Sequence, residues 1–169
     1  MPELAPFDPA RIFETLARHR VEFVLVGALA ARLQGFPRLT ADADITPADS
    51  PANLERLSAA LRELHARVFT ESVPEGLAFD CSGKALARAD FWNLVTDAGR
   101  LDVIRHPVGV SGYDELREHA VRFEIHGQPL FAASLGDILR SKQAADRPQD
   151  RQDAVIIREM LLADEKGAT

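Results

Sequence analysis

Asp42 and Asp44 stand two positions apart in the short β-rich run Asp42-Ala43-Asp44-Ile45-Thr46. In an extended chain both carboxylates leave the same face, with Cα atoms roughly 7 Å apart. Two anions side by side repel unless a cation joins them. Hard carboxylate oxygens hold Mg2+, and two such ions about 3.5–4 Å apart serve phosphoryl and nucleotidyl transfer by activating the attacking oxygen and stabilising the leaving pyrophosphate. Such a centre calls for a third acid on a neighbouring strand. Asp102 is the candidate, because it interrupts an apolar strand, Leu101 and Val103-Ile104, where an unpaired charge would be costly. An isolated Asp-X-Asp is more commonly a solvated strand face. Here the pair follows a buried strand, a glycine turn and a helix, the order that builds a phosphate site at a helix N-terminus beside a metal site.

The elements that must position these acids follow from the hydrophobic pattern. Asp8-Pro9-Ala10 caps an amphipathic helix that carries Ile12, Phe13 and Leu16 and ends near His19. Val21 to Val26 is a β-branched and aromatic run, predicted as a buried strand that Gly27 ends. Residues 28–35 are helix formers closed by a glycine; 36–40 form a loop; 42–46 form a strand stopped by Pro47. A helix begins at Asp49-Ser50-Pro51 and runs to about Ala66, with Leu54, Leu57, Leu61 and Leu64 at helical spacing. The segment from Val68 to Lys84 gives no clear pattern beyond a loop at Pro74-Glu75-Gly76. Two hairpins follow, one over Phe91–Ile104 turning at Asp97-Ala98-Gly99, the other over Val121–Ala132 turning at His126-Gly127. Helices over about 134–145 and 150–163 complete the chain. The expected class is α+β: a central mixed sheet flanked by helices, with a C-terminal helical pair. All 169 residues are expected to form one domain, with a core over about 20–132 and C-terminal helices over about 134–164.

Composition narrows the setting. A chain of this length buries roughly 70% of its unfolded surface without staples. Cys81 is the only cysteine, and Glu3, Asp8 and Glu14 fall where a signal peptide would need an apolar stretch, so a reducing, cytoplasmic location is expected. Glu22 and Arg32 break the longest apolar candidate for a membrane span. A net charge of −6 argues against a surface devoted to wrapping nucleic acid, although it leaves room for a local basic groove. Arginines far outnumber Lys84, Lys142 and Lys166, which either suits phosphate gripping or reflects base composition alone. The five histidines lack metal-ligand spacing, Cys81 has no catalytic partner in the pattern, and Trp92 reads as a core residue of its strand.

The ordered combination resembles the nucleotidyltransferases of the DNA polymerase β type. Its carriers are Phe23-Val24-Leu25-Val26-Gly27-Ala28, then Pro37-Arg38-Leu39-Thr40-Ala41-Asp42-Ala43-Asp44, then Arg100-Leu101-Asp102-Val103. The tail, Ser141-Lys142 followed by Arg147-Pro148-Gln149-Asp150-Arg151-Gln152-Asp153, is similar to the small bacterial branch of AbiEii-type toxins and minimal nucleotidyltransferases. The resemblance implies the nucleotidyltransferase fold and Mg2+ (or Mn2+) bound by Asp42, Asp44 and Asp102. It implies an NTP such as ATP lying near Gly27 and Ala28, and transfer of its NMP to a hydroxyl of an RNA such as tRNA, of a partner protein or of a small molecule. A cognate antitoxin or toxin partner is implied as well. Lys142 would contact the triphosphate, Arg147 would lie at the same site, and Asp150 or Asp153 would order it. The bland alternative is a solvated helix pair with Asp150 as a cap. Arg38 and Thr40 match the branch's Arg-x-Thr-x-Asp-x-Asp pattern, where the arginine would clamp a phosphate or pair with a neighbouring acid. Ala28 departs from the serine or glycine of many relatives and removes a hydroxyl, which opens a second reading: a catalytically weak nucleotide- or partner-binding module on the same fold.

Overall fold

The computed structural model describes residues 3–168. Helix α1 (Pro9–Arg18) is capped by Asp8, whose carboxylate accepts from the Arg11 amide, and it buries Ile12, Phe13 and Leu16. Strand β1 (Phe23–Val26) runs into α2 (Gly27–Leu33) with no intervening loop. Strand β2 (Asp42–Pro47) follows; Pro47 is its last residue, opposite Phe23, rather than a stop placed after it. Ser50 caps α3 (Pro51–Glu63), which ends earlier than the leucine spacing suggested because Leu64 is its C-cap and His65 turns the chain at φ +50°.

The segment without a clear pattern resolves into β3 (Arg67–Val68), a loop that folds back to bridge Val68 with Leu77, and the single turn α4 (Gly83–Leu86). The first hairpin is β4 (Phe91–Thr96) and β5 (Gly99–Ile104). A short helix that the sequence pattern did not signal, α5 (Tyr113–His119), buries only Leu116. The second hairpin is β6 (Val121–Ile125) and β7 (Gln128–Ala132). The tail forms α6 (Leu135–Ala145) and α7 (Pro148–Gly167), the latter longer at both ends than expected.

All seven strands join one mixed sheet in the order β3-β4-β5-β2-β1-β7-β6. Two parallel pairings, β2 with β5 and β1 with β7, fuse the hairpins onto the central β1–β2 pair. One face, carrying Leu25, Ala43, Ile45, Leu94, Leu101 and Val103, is fully buried in the main core with Leu54, Leu57 and Leu61 of α3. Burial alternates along β5, with Leu101 and Val103 buried and Arg100, Asp102 and Ile104 half-buried, so Asp102 lies on the opposite face. On that second face α2 packs against β1, β2 and β7, and α6 packs against α2 and α7. The β4–β5 part stays partly open: Phe91 is 51% exposed. No helix among the described residues is long and apolar enough to cross a membrane.

Candidate active site

The register of the parallel β2–β5 pair puts Asp44 directly beside Asp102, and Asp42 beside Arg100. With Asp42 and Asp44 on one face of β2, the three carboxylates converge, each offering an oxygen within 4.8 Å of the others. Their electrostatics are those of crowded anions. Burial, then repulsion from Asp42 and Asp102, pushes the Asp44 carboxyl up to about 7. Burial also raises Asp102, to about 6, with Arg100 opposing the rise and Asp42 adding to it. Asp102 Oδ1 is shut off from solvent and has no hydrogen-bond partner among the described residues. An acceptor atom left in that state costs about 1–3 kcal/mol, more when charged. The Thr40 hydroxyl donates to Asp42 Oδ1 at 2.6 Å, fixing that carboxylate.

Gly27 opens the space beside this cluster. Its φ of +70° is the left-handed region, and a Cβ at this position would collide with the Asp44 carboxylate. The glycine therefore serves both the turn from β1 into α2 and the close approach of the main chain to Asp44. An orphaned carboxylate oxygen, raised carboxyl pKa values and an all-oxygen donor set fit a hard divalent cation.

A cavity of about 560 Å3 opens from Asp42 and Asp44. Gly27, Ala28, Arg38, Thr40, Lys142, Arg147, Asp150 and Asp153 all line it, so the loop before β2 and the α6–α7 elbow meet at one place. The elbow is organised by two buried acids. Asp153, 1% exposed, accepts from Lys142 Nζ at 2.8 Å, from Arg38 at 2.6 Å and from Gln149 Nε2 at 3.0 Å. Its burial acts to raise its pKa, but those donors prevail and hold it below the ordinary carboxylate range. The N-cap of α7 is Arg147 rather than Asp150; Asp150, at the third helical position, accepts from the Arg147 amide in a capping box, takes the Arg147 guanidinium at 2.7 Å and faces Lys142 at 3.5 Å. Arg38 forms the ion pair with an acid, and it does so while lining the cavity.

No family profile and no curated protein sequence matches this chain. Solved structures do. The crystal structure of ANT(2″)-Ia in complex with adenylyl-2″-tobramycin matches with a TM-score of 0.57 at 17% identity, over 92% of this chain and 88% of that one. The solution structure of the antibiotic-resistance factor ANT(2″)-Ia matches at 0.51 and 15% identity, over 94% and 91%. An antigenic nucleotidyltransferase-like protein from Paracoccidioides brasiliensis matches at 0.50 and 18% identity, over 92% and 79%. The chain has the nucleotidyltransferase fold.

On this fold, sequence reasoning missed the cation beside the acids. Arg100 lies over the Phe69 ring at 3.8 Å and donates to Asn93 Oδ1, and its Nε is buried without a partner among the described residues. Its signal was its position two residues before Asp102, on the same strand face. No histidine among the described residues lines the cavity: His19, His65, His106 and His126 pair with carboxylates elsewhere, and His119 pairs with Asp137, which lines it. Trp92 donates from Nε1 to the Leu86 carbonyl and packs on Phe79.

Proposed function

We propose that this protein transfers a nucleoside monophosphate from an NTP to a hydroxyl acceptor, with Mg2+ or Mn2+ held by Asp42, Asp44 and Asp102. The observation that carries the reading is the convergence of these three carboxylates within 4.8 Å. The metal, when bound, supplies charge neutralisation at the reacting phosphate and acidifies the acceptor hydroxyl. The remaining work is positioning and electrostatics, since transfer of this kind leaves little covalent chemistry to the protein. Thr40 orients Asp42, and Gly27 keeps the space beside Asp44 clear. Lys142, Arg38 and Arg147 present positive charge to the triphosphate, while Asp150 and Asp153 hold those cations in place. The main chain at Gly27 and Ala28 borders the nucleotide. The Asp102 carboxylate oxygen not engaged by the metal takes up the proton of the acceptor hydroxyl.

The order of motifs supports an acceptor such as tRNA or a partner protein, in a toxin–antitoxin pair within the cytoplasm. The tobramycin adduct named for one neighbour supports a small-molecule acceptor instead. A second reading, a binding module with little turnover, rests on Ala28, which offers no hydroxyl to a phosphate. The test is label transfer from each α-labelled NTP with Mg2+ or Mn2+, in the presence of total RNA, cell extract and tobramycin. Wild type should label one acceptor class and Asp42→Asn/Asp44→Asn none. Retained NTP binding without transfer to any acceptor would favour the binding module.

A further inference from the structure

Strand β5 carries two unsatisfied atoms of opposite demand on one face. Asp102 Oδ1 is an acceptor without a donor, and Arg100 Nε–H is a donor without an acceptor; both are shut off from solvent. A buried polar atom without a partner is costly, and more so in a charged group. A cation at the three acids satisfies the first and leaves the second. Their Cα atoms stand roughly 7 Å apart along the strand, and the Arg100 guanidinium reaches Asn93, the residue paired with Asp102, so both groups border one place on this face.

Resting on the nucleotidyltransferase reading, we propose that Arg100 anchors a phosphate group of the acceptor, so that the acceptor is a phosphate-bearing alcohol whose reacting hydroxyl lies at Asp102. The guanidinium is already immobilised, stacked 3.8 Å from the Phe69 ring and bonded to Asn93 Oδ1. Little side-chain freedom is left to lose when an anion arrives. Asn93 stands directly opposite Asp102 on β4, and having spent its Oδ1 on Arg100 it keeps amide donors to spare. Guanidinium and amide donors together suit the three free oxygens of a phosphate better than the two of a carboxylate. The direction of approach fits as well. The cavity is lined by Asp42, Asp44 and Ile104 but not by Arg100, Asn93 or Phe91, and Phe91 is half exposed on β4. A polycation such as tobramycin gains nothing from a guanidinium at that position.

The experiment is a binding titration that needs no turnover. Wild type and Arg100→Gln, each with Mn2+, are titrated with ribose 5-phosphate, a 5′-phosphorylated oligoribonucleotide, ribose and tobramycin. The readouts are affinity and, with Mg2+ in place of Mn2+, the Arg100 Nε–H resonance. The two phosphorylated probes should bind wild type at least tenfold more tightly than ribose, and Arg100→Gln should erase that difference. Whichever phosphorylated probe binds more tightly identifies the source, a strand terminus or a free sugar phosphate. Arg100→Lys keeps the charge and stem, reports on folding, and should restore part of the affinity. Equal binding of the phosphorylated probes to wild type and Arg100→Gln, preference for tobramycin, or no binding at millimolar concentration overturns the proposal. A fluorescent ATP analogue, titrated in parallel without acceptor, separates the two ideas: loss of its binding in wild type sinks the nucleotidyltransferase reading, whereas its retention confines the failure to Arg100.

Discussion

Asp44→Asn should stabilise the metal-free protein at pH 8 and change little below pH 4. In the folded chain the Asp44 carboxyl is pushed from 3.8 to about 7 by burial and by Asp42 and Asp102. A shift of roughly 3 units at about 1.36 kcal/mol each sets a ceiling of about 4 kcal/mol. Coupling to the neighbouring acids reduces what one substitution recovers, so the expected gain is about 2–4 kcal/mol. The sign follows from proton counting. Between the unfolded and folded pKa values the folded state holds more protons, so stability declines as pH rises from about 4 to about 7. Asparagine carries no charge to bury and is free of that decline. Urea unfolding in EDTA at pH 4.5 and pH 8 measures the difference. Mn2+ at about 1,000 times its Kd should reverse the order at pH 8, since it adds about 4.1 kcal/mol to a chain that binds it. If Asp44→Asn is no more stable than wild type at pH 8 in EDTA, the crowded-anion account of the site is wrong.

Gly27→Ala should cost about 1–2 kcal/mol for the left-handed backbone alone, and its β-carbon would displace the Asp44 carboxylate; calorimetric Mn2+ titration should show at least a tenfold loss, and unchanged affinity would refute the close-approach argument. Asp153→Ala leaves Lys142 and Arg38 without their shared partner. Breaking such a buried pair costs about 3–5 kcal/mol, and a Tm fall of roughly 10 °C is expected for a chain of this size. The double change Lys142→Met/Asp153→Leu should recover most of that stability without recovering NTP affinity, and a fall of only one or two degrees in the single variant would show that the elbow is not held this way.

The elements that announce themselves in the sequence are those with strong local signals: the Asp8 and Ser50 caps, the β-rich runs around Gly27, and the hairpin whose second arm carries Asp102. Asp42 and Asp44 were legible because strand periodicity alone puts them on one face. Their meeting with Asp102 depends on a parallel β2–β5 pairing, which sequence order suggested only through resemblance. Strand β3 and helix α4 are too short to impose a period, and α5 buries a single leucine. The cation network was half visible. Asp150 reads as a cap from its spacing, but the joining of Arg38 to Asp153 and Lys142 is a tertiary event between distant segments. Arg100 went unnoticed because an arginine in a strand ordinarily means a solvated face, and only the Phe69 stack and the bond to Asn93 make it otherwise.

The partly open β4–β5 face has a consequence for selectivity. A closed pocket can reject a molecule for being too large, but a surface bordered on one side only cannot. On the proposed reading, an acceptor that approaches Asp102 across Asn93 and Phe91 is gripped at one end, and the rest of it extends past the sheet unmeasured. Discrimination among acceptors must then come from the few groups within reach of that end, and two molecules of very different size that share the same terminus would compete on equal terms.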